Sequence, residues 1–137
     1  MKYLLDTNVI SEVRKGRGAH SAVRKWWSET NIEDIYTSVV VLGEIRQGVE
    51  RLRIKNPQKA AEIEDWLQSI TASMGTRLLV VNQKIADTWG RMGKNRSLPL
   101  VDSILAATAV AHDLILVTRN TKDILGTGAT HLNPFDA

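Results

Sequence analysis

The sequence predicts an α/β fold built on a parallel sheet, and three observations lead to this class. Short apolar runs alternate along the chain with amphipathic segments, the order expected when helical crossovers join parallel strands. The apolar runs are continuous, as in parallel strands that are buried on both faces. The 137 residues are 43% hydrophobic, enough to form the core of one domain of ordinary size. We therefore expect a single domain over residues 1–137.

Buried strands are predicted where the apolar runs are four residues or so long and end in polar residues. These strands are residues 2–5, 35–37, 78–81 and 114–117. Residues 130–134 are predicted as a short edge strand, because Pro134 lacks the backbone N–H that a longer strand would need.

Helices are predicted between the strands from capping residues and from apolar spacings of three and four. Asp6 and Ser38 are typical N-cap residues for the segments that follow them. Gly16 and Gly18 end the first helix, and Pro57 separates the two long helices in the middle of the chain. The predicted helices are residues 7–14, 19–29, 39–52, 58–73, 83–93 and 101–112, with a short helical piece after residue 123.

Acidic side chains follow the predicted strands. Asp6 directly follows the first strand, and Glu44 lies inside the helix after the second. Asp102 begins an apolar helix, and Asp123 follows the fourth strand by a short turn. Ligands of open α/β sheets bind beyond the C-terminal ends of the strands, and crowded carboxylates repel one another unless a cation offsets their charge. We therefore expect a divalent metal site, with Mg²⁺ or Mn²⁺ as the ion that oxygen ligands favour.

Each of these acids also has an ordinary structural explanation. Asp6 can serve as an N-cap alone, and Glu44 can be a solvated helix residue. Asp102 can stabilise the helix dipole from the first turn, and Asp123 can be a turn residue. The joint pattern of four is what favours a metal site over these separate explanations.

The balance of charge is mildly basic, +3 from 18 Lys and Arg against 15 Asp and Glu. This balance fits ordinary solubility, and it equally fits a polyanionic partner such as nucleic acid. We interpret the basic residues as a positive rim that holds a phosphate backbone around the acidic site. They form three clusters: Arg14, Lys15 and Arg17; Arg46, Arg51, Arg53 and Lys55; Arg91, Lys94 and Arg96.

Several classes of protein are excluded or disfavoured by what the sequence lacks. There is no cysteine, so disulfides, zinc–thiolate sites and thiol nucleophiles are excluded. No apolar run reaches about 18 residues, so no membrane span is expected. The early carboxylate of Asp6 disfavours a signal peptide, and we expect a cytoplasmic protein. The three histidines are too dispersed to indicate a histidine-based catalyst.

Four segments carry a recognisable pattern in a fixed order: residues 4–11, 37–45, 98–109 and 116–123. Together they resemble the PIN-domain family, most closely the VapC-like toxin ribonucleases of type II toxin–antitoxin pairs. The resemblance implies a three-layer sandwich with a central parallel five-stranded sheet. It also implies a Mg²⁺-dependent endoribonuclease that acts on RNA, forms a homodimer and is inhibited by a small antitoxin that binds DNA.

The resemblance assigns roles to the acidic residues. Asp6, Glu44 and Asp102 correspond to metal ligands, and Asp123 joins them as a catalytic residue. Many relatives carry aspartate directly after the Thr-Arg pair of the fourth motif, where this chain has Asn120. Asparagine can accept a hydrogen bond but carries no charge, so a second metal position stays open. The resemblance gives supporting roles to Thr7, Asn8, Thr118 and Asn120.

Two other functions remain open from the sequence. The chain could be a non-catalytic PIN-like subunit of a DNA-bound regulatory complex, in which the acids organise a metal or bind a partner's arginine. It could also be a flavodoxin-like phosphatase with an aspartyl nucleophile. Thr118 and Lys122 would suit that class, but the Asp6-x-Asn8 segment lacks the second acid that it needs.

Overall fold

A computed structural model describes residues 1–92 and 98–136. Its centre is one sheet of five parallel strands in the order β3-β2-β1-β4-β5. The strands are β1 (Tyr3–Leu5), β2 (Ile35–Ser38), β3 (Leu78–Leu79), β4 (Ile115–Val117) and β5 (His131–Leu132). The α/β class, the parallel sheet and its five strands confirm the prediction.

Seven α-helices flank this sheet within the described part of the chain. They are α1 (Thr7–Arg14), α2 (Ser21–Glu29), α3 (Val39–Lys55), α4 (Pro57–Met74), α5 (Gln83–Met92), α6 (Leu100–His112) and α7 (Thr121–Ile124). None of the described helices contains a stretch that is long and apolar enough to cross a membrane. The predicted end of the fifth helix at residue 93 and the basic residues Lys94 and Arg96 lie outside the described residues.

Several element boundaries differ from the prediction by one to three residues, including those of β3, α3 and α4. The third strand is shorter, because it lies at the edge of the sheet and pairs with β2 only through Leu78 and Leu79. Val80 and Val81 follow it as exposed residues. Helix α3 continues three residues past the predicted end, and α4 begins at Pro57. Asn56 caps α4 by accepting from the backbone N–H of Lys59, while proline suits the first helical position.

The centre of the sheet determines where the acidic residues meet. Strand β1 lies between β2 and β4, with Leu5 paired with Val117. Leu4, Leu5, Leu116 and Val117 are all buried in the core, which fixes these strand ends against the helices. The segments that follow β1, β2 and β4 therefore emerge side by side at one edge of the sheet.

Candidate metal centre

Asp6 lies at the C-terminal end of the central strand and caps α1. Its carboxylate accepts hydrogen bonds from the Thr7 backbone N–H at 2.6 Å, the Thr118 hydroxyl at 2.7 Å and the Asn8 side-chain amide at 3.2 Å. The side chain is buried, with 5% of the residue exposed. Burial raises the pKa of Asp6 above its usual value, although these hydrogen bonds lower it in part. The carboxylate is thus held in one orientation.

The loop after β4 is fixed to α1 through polar contacts around Asp6. Thr118 is fully buried, and its hydroxyl oxygen accepts from the backbone N–H of Asn120 at 3.1 Å. The side-chain oxygen of Asn8 accepts from the backbone N–H of Arg119 at 3.2 Å. Asn120 is therefore placed beside Asp6 by the β1–β4 pairing.

Glu44 reaches the same place from α3. Ser38 begins that helix by accepting from the Val40 backbone N–H at 3.2 Å, and Glu44 lies near the end of its second turn. The hydroxyl of Thr7 donates to the Glu44 carboxylate. Thr7 thus orients the Glu44 carboxylate.

Asp102 completes the group from the first turn of α6. The indole N–H of Trp89 donates to the Ser103 hydroxyl oxygen at 2.9 Å, which joins α5 to the start of α6. Burial raises the pKa of Asp102 to about 6, and the negative charges of Asp6, Glu44 and Asp123 add to this effect. Among the described residues, none lowers that pKa by donating a hydrogen bond or by carrying a positive charge.

These side chains line one cavity of about 350 Å³. Six of the residues that the sequence singled out lie in its wall: Asp6, Thr7, Asn8, Glu44, Asp102 and Asn120. Thr118 is buried behind Asp6. Asp123 is exposed and outside the cavity wall, although it is close enough to influence Asp102.

Gln47 and Arg51 also line the cavity. The sequence placed Arg51 in a basic cluster of the predicted positive rim, but it did not single out Gln47. Both residues follow Glu44, by three and seven residues on α3, and these spacings place side chains on one face of a helix. That spacing is the feature of the sequence from which Gln47 could have been found.

Comparison with known proteins assigns the family. The family model described as PIN domain matches residues 3–125. The chain belongs to the PIN-domain family. A relative named toxin FitB, from Neisseria gonorrhoeae, is 29% identical over 96% of this chain and 97% of its own length. A relative named VapC ribonuclease Y4jK, from Sinorhizobium fredii, is 28% identical, with 97% of each chain covered.

Solved structures agree with this assignment. The crystal structure of FitAcB from Neisseria gonorrhoeae matches with a TM-score of 0.88 and 29% identity, covering 98% of this chain and 99% of that one. A structure of FitAB bound to an IR36 DNA fragment matches with a TM-score of 0.87 and 28% identity, covering 97% and 95%. The PIN fold thus rests on nearly full-length similarity.

The donor set of this PIN-domain cavity suits a hard cation. Three carboxylates, three amide side chains and one hydroxyl line the cavity, and oxygen donors of this kind are those that Mg²⁺ and Mn²⁺ prefer. Within residues 1–92 and 98–136, no three His, Cys, Asp or Glu side chains are grouped closely enough to hold an ion directly. Water would therefore have to complete the coordination of an ion in this cavity, and Mg²⁺ usually retains several waters.

We predict that Thr118→Val destabilises the protein by about 1–3 kcal/mol, the usual cost of leaving buried polar groups unsatisfied. Valine has the same shape but removes both the donor to Asp6 and the acceptor for the Asn120 N–H. The free energy of unfolding from urea titration measures the effect.

Thr108→Val is the matched control for this substitution. Thr108 is equally buried, but its hydroxyl only donates to the Ile104 carbonyl within α6, which the helix already uses. A Thr118→Val protein that is as stable as Thr108→Val would show that the hydroxyl does not hold Asp6.

Proposed function

We propose that this protein is a Mg²⁺-dependent endoribonuclease that acts as the toxin of a type II toxin–antitoxin pair. The observation that carries the proposal is the convergence of Asp6, Glu44 and Asp102, from three separate elements, on one cavity at the C-terminal edge of the sheet. Relatives named VapC ribonuclease and toxin FitB support the reaction and the biological role.

Asp6, Glu44 and Asp102 would hold the ion in part through bound water, and Mn²⁺ could replace Mg²⁺. When bound, the ion would lower the pKa of a coordinated water and polarise a phosphoryl oxygen of the substrate. Burial raises the pKa of Asp102, and its negative neighbours add to this effect without a compensating cation among the described residues. A divalent ion would offset that repulsion and favour the ionised forms of Asp6 and Asp102.

The remaining residues of the site position these ligands. Thr118, Asn8 and the Thr7 backbone fix the Asp6 carboxylate, and the Thr7 hydroxyl fixes Glu44. Because they are already ordered, the ligands need no rearrangement when charge develops on the phosphate. Asn120 supplies a neutral amide in the wall, and Asp123 is proposed to add the negative charge that Asn120 lacks.

The partners that we propose follow from the relatives and the charge of the site. The structure of FitAB on DNA supports a small antitoxin that binds DNA. An arginine from such a partner would inhibit by forming charge-assisted hydrogen bonds with the cavity carboxylates. We also propose that the protein is a homodimer and that it acts in the cytoplasm.

A metal titration tests the enzymatic part of this proposal. A fluorescent oligoribonucleotide should be cleaved when Mg²⁺ or Mn²⁺ is added and should remain intact in EDTA. A DNA oligonucleotide of the same sequence serves as the substrate control. RNA that stays intact at every Mg²⁺ and Mn²⁺ concentration would contradict the nuclease assignment.

Induced expression is predicted to arrest bacterial growth, and co-expression of the small protein from the neighbouring gene should restore it. Colony counts and growth curves measure both effects, with Asp6→Asn as the matched control that should not arrest growth. Unimpaired growth at an expression level verified by immunoblot would argue against a toxin.

The alternative is a non-catalytic PIN-like subunit of a DNA-bound regulatory complex. The observation that favours it is Asn120, which leaves the cavity wall with one carboxylate fewer than the fourth motif of many relatives would supply. The three carboxylates that remain in the wall favour catalysis. The metal titration separates the two, because a binding subunit would leave RNA intact while still retaining its partner.

A further inference from the structure

The basic residues of α3 divide into two groups with different surroundings. Arg46 pairs with Glu50 at 3.2 Å and also with Glu64. Arg53 pairs with Glu50 at 3.0 Å and with Glu64 at 3.2 Å. Because Glu64 belongs to α4, these two arginines connect the long helices. Their charges are therefore partly offset by these two carboxylates.

Arg51 lies on a different side of the same helix. It is exposed and has no ion pair or hydrogen bond with any described residue. It is the only Lys or Arg among the described residues that line the acidic cavity. Seven residues separate it from Glu44, which places the two on one face of α3 about 10 Å apart along the axis.

This separation puts the Arg51 charge at the mouth of the cavity rather than among the carboxylates. Among the described residues, no ion pair joins Arg51 to Asp6, Glu44 or Asp102. The Arg51 guanidinium is therefore available to an anion that approaches the cavity from solution.

We propose that Arg51 binds an RNA phosphate flanking the one that is cleaved, with Gln47 lying between it and Glu44 on the same helix face. This assignment rests on the proposed function, because it requires an RNA strand to cross the cavity. Three carboxylates repel a polyanion, and a cation at their rim offsets that repulsion. The planar guanidinium matches the geometry of phosphate oxygens.

The test compares Arg51→Gln with Arg53→Gln by steady-state cleavage of a fluorescent oligoribonucleotide in Mg²⁺. For Arg51→Gln, KM should rise about 3- to 10-fold, the effect of one lost charged contact at an exposed site, while kcat changes little. The slope of log KM against log salt should become shallower by about 0.7, because one phosphate contact is lost. Arg51→Lys should recover most of the affinity, since it keeps the charge.

Arg53→Gln is the matched control, with the same substitution two residues away. It breaks ion pairs between helices and should change stability slightly while leaving KM and the salt slope as in the wild type. If the wild type cleaves RNA and Arg51→Gln has the same KM and the same salt slope, the Arg51 assignment is overturned. The proposal that the protein is a nuclease would still stand. Wild-type protein that does not cleave RNA in Mg²⁺ or Mn²⁺ would overturn the proposed function, and this assignment with it.

Discussion

Asp6→Asn is expected to abolish metal-dependent RNA cleavage and to leave the fold intact. The substitution removes the negative charge at the most deeply buried acid of the cavity wall but keeps its size. Activity should fall at least about 10²–10³-fold, the range found when one group that stabilises transition-state charge is removed. The rate of oligoribonucleotide cleavage in Mg²⁺ measures the loss, and circular dichroism verifies the fold.

Asp113→Asn provides the control for Asp6→Asn. Asp113 is an exposed acid that ends α6 with a φ of 54°, and asparagine tolerates this left-handed conformation. The control makes the same chemical change away from the cavity and should retain wild-type activity. A well-folded Asp6→Asn protein with full activity would rule out a metal-binding role for Asp6.

Asp102→Asn is expected to have opposite effects on activity and on stability. Cleavage should fall by about 10²-fold or more, because a proposed metal ligand is lost. In EDTA, however, the variant should be more stable than the wild type at pH 7.5. The reason is that an ionised Asp102 is partly buried and lies near other carboxylates, whereas asparagine carries no charge.

The gain in stability of Asp102→Asn should increase with pH, because the pKa of Asp102 is raised in the folded protein. That pKa is about 6 in the folded protein, above the usual value of 3.8. Between these two values the unfolded chain releases the proton while the folded protein keeps it, so the wild type loses stability as pH rises through this window. The advantage of Asp102→Asn should therefore be large at pH 7.5 and small near pH 4.

Thermal unfolding in EDTA at both pH values measures this difference. Mg²⁺ should stabilise the wild type at pH 7.5 and have little effect on the variant, since a bound ligand stabilises only the state that binds it. An Asp102→Asn protein that is less stable than the wild type at pH 7.5 would show that Asp102 is not in a repulsive environment.

The sequence predicted the site most reliably where a strand end fixed the residue. Asp6 and Thr118 directly follow two apolar runs, and adjacent parallel strands leave such residues side by side. Glu44 follows a capped helix start, and Asp102 begins an apolar helix. In each case the local pattern determines the position of the side chain, so the convergence on one cavity could be predicted.

The basic residues show where local pattern is insufficient. The sequence treats Arg46, Arg51 and Arg53 alike, because all three lie on one exposed helix. Only the packing of α3 against α4 brings Glu64 to two of them and leaves Arg51 at the cavity. Asp123 is a similar case. Its turn follows β4, but the course of the loop decides whether the side chain enters the cavity. In the structure, Asp123 lies outside the cavity wall.

Anomalous diffraction from a crystal soaked in Mn²⁺ is the most direct test of the central claim, which is that acids from distant segments share one cation. We predict an anomalous peak inside the cavity, within ligand or water-bridged distance of Asp6, Glu44 and Asp102, and its absence from a soaked Asp6→Asn crystal. A fully soaked wild-type crystal with no peak between Asp6 and Asp102 would contradict the metal centre and the nuclease mechanism that depends on it.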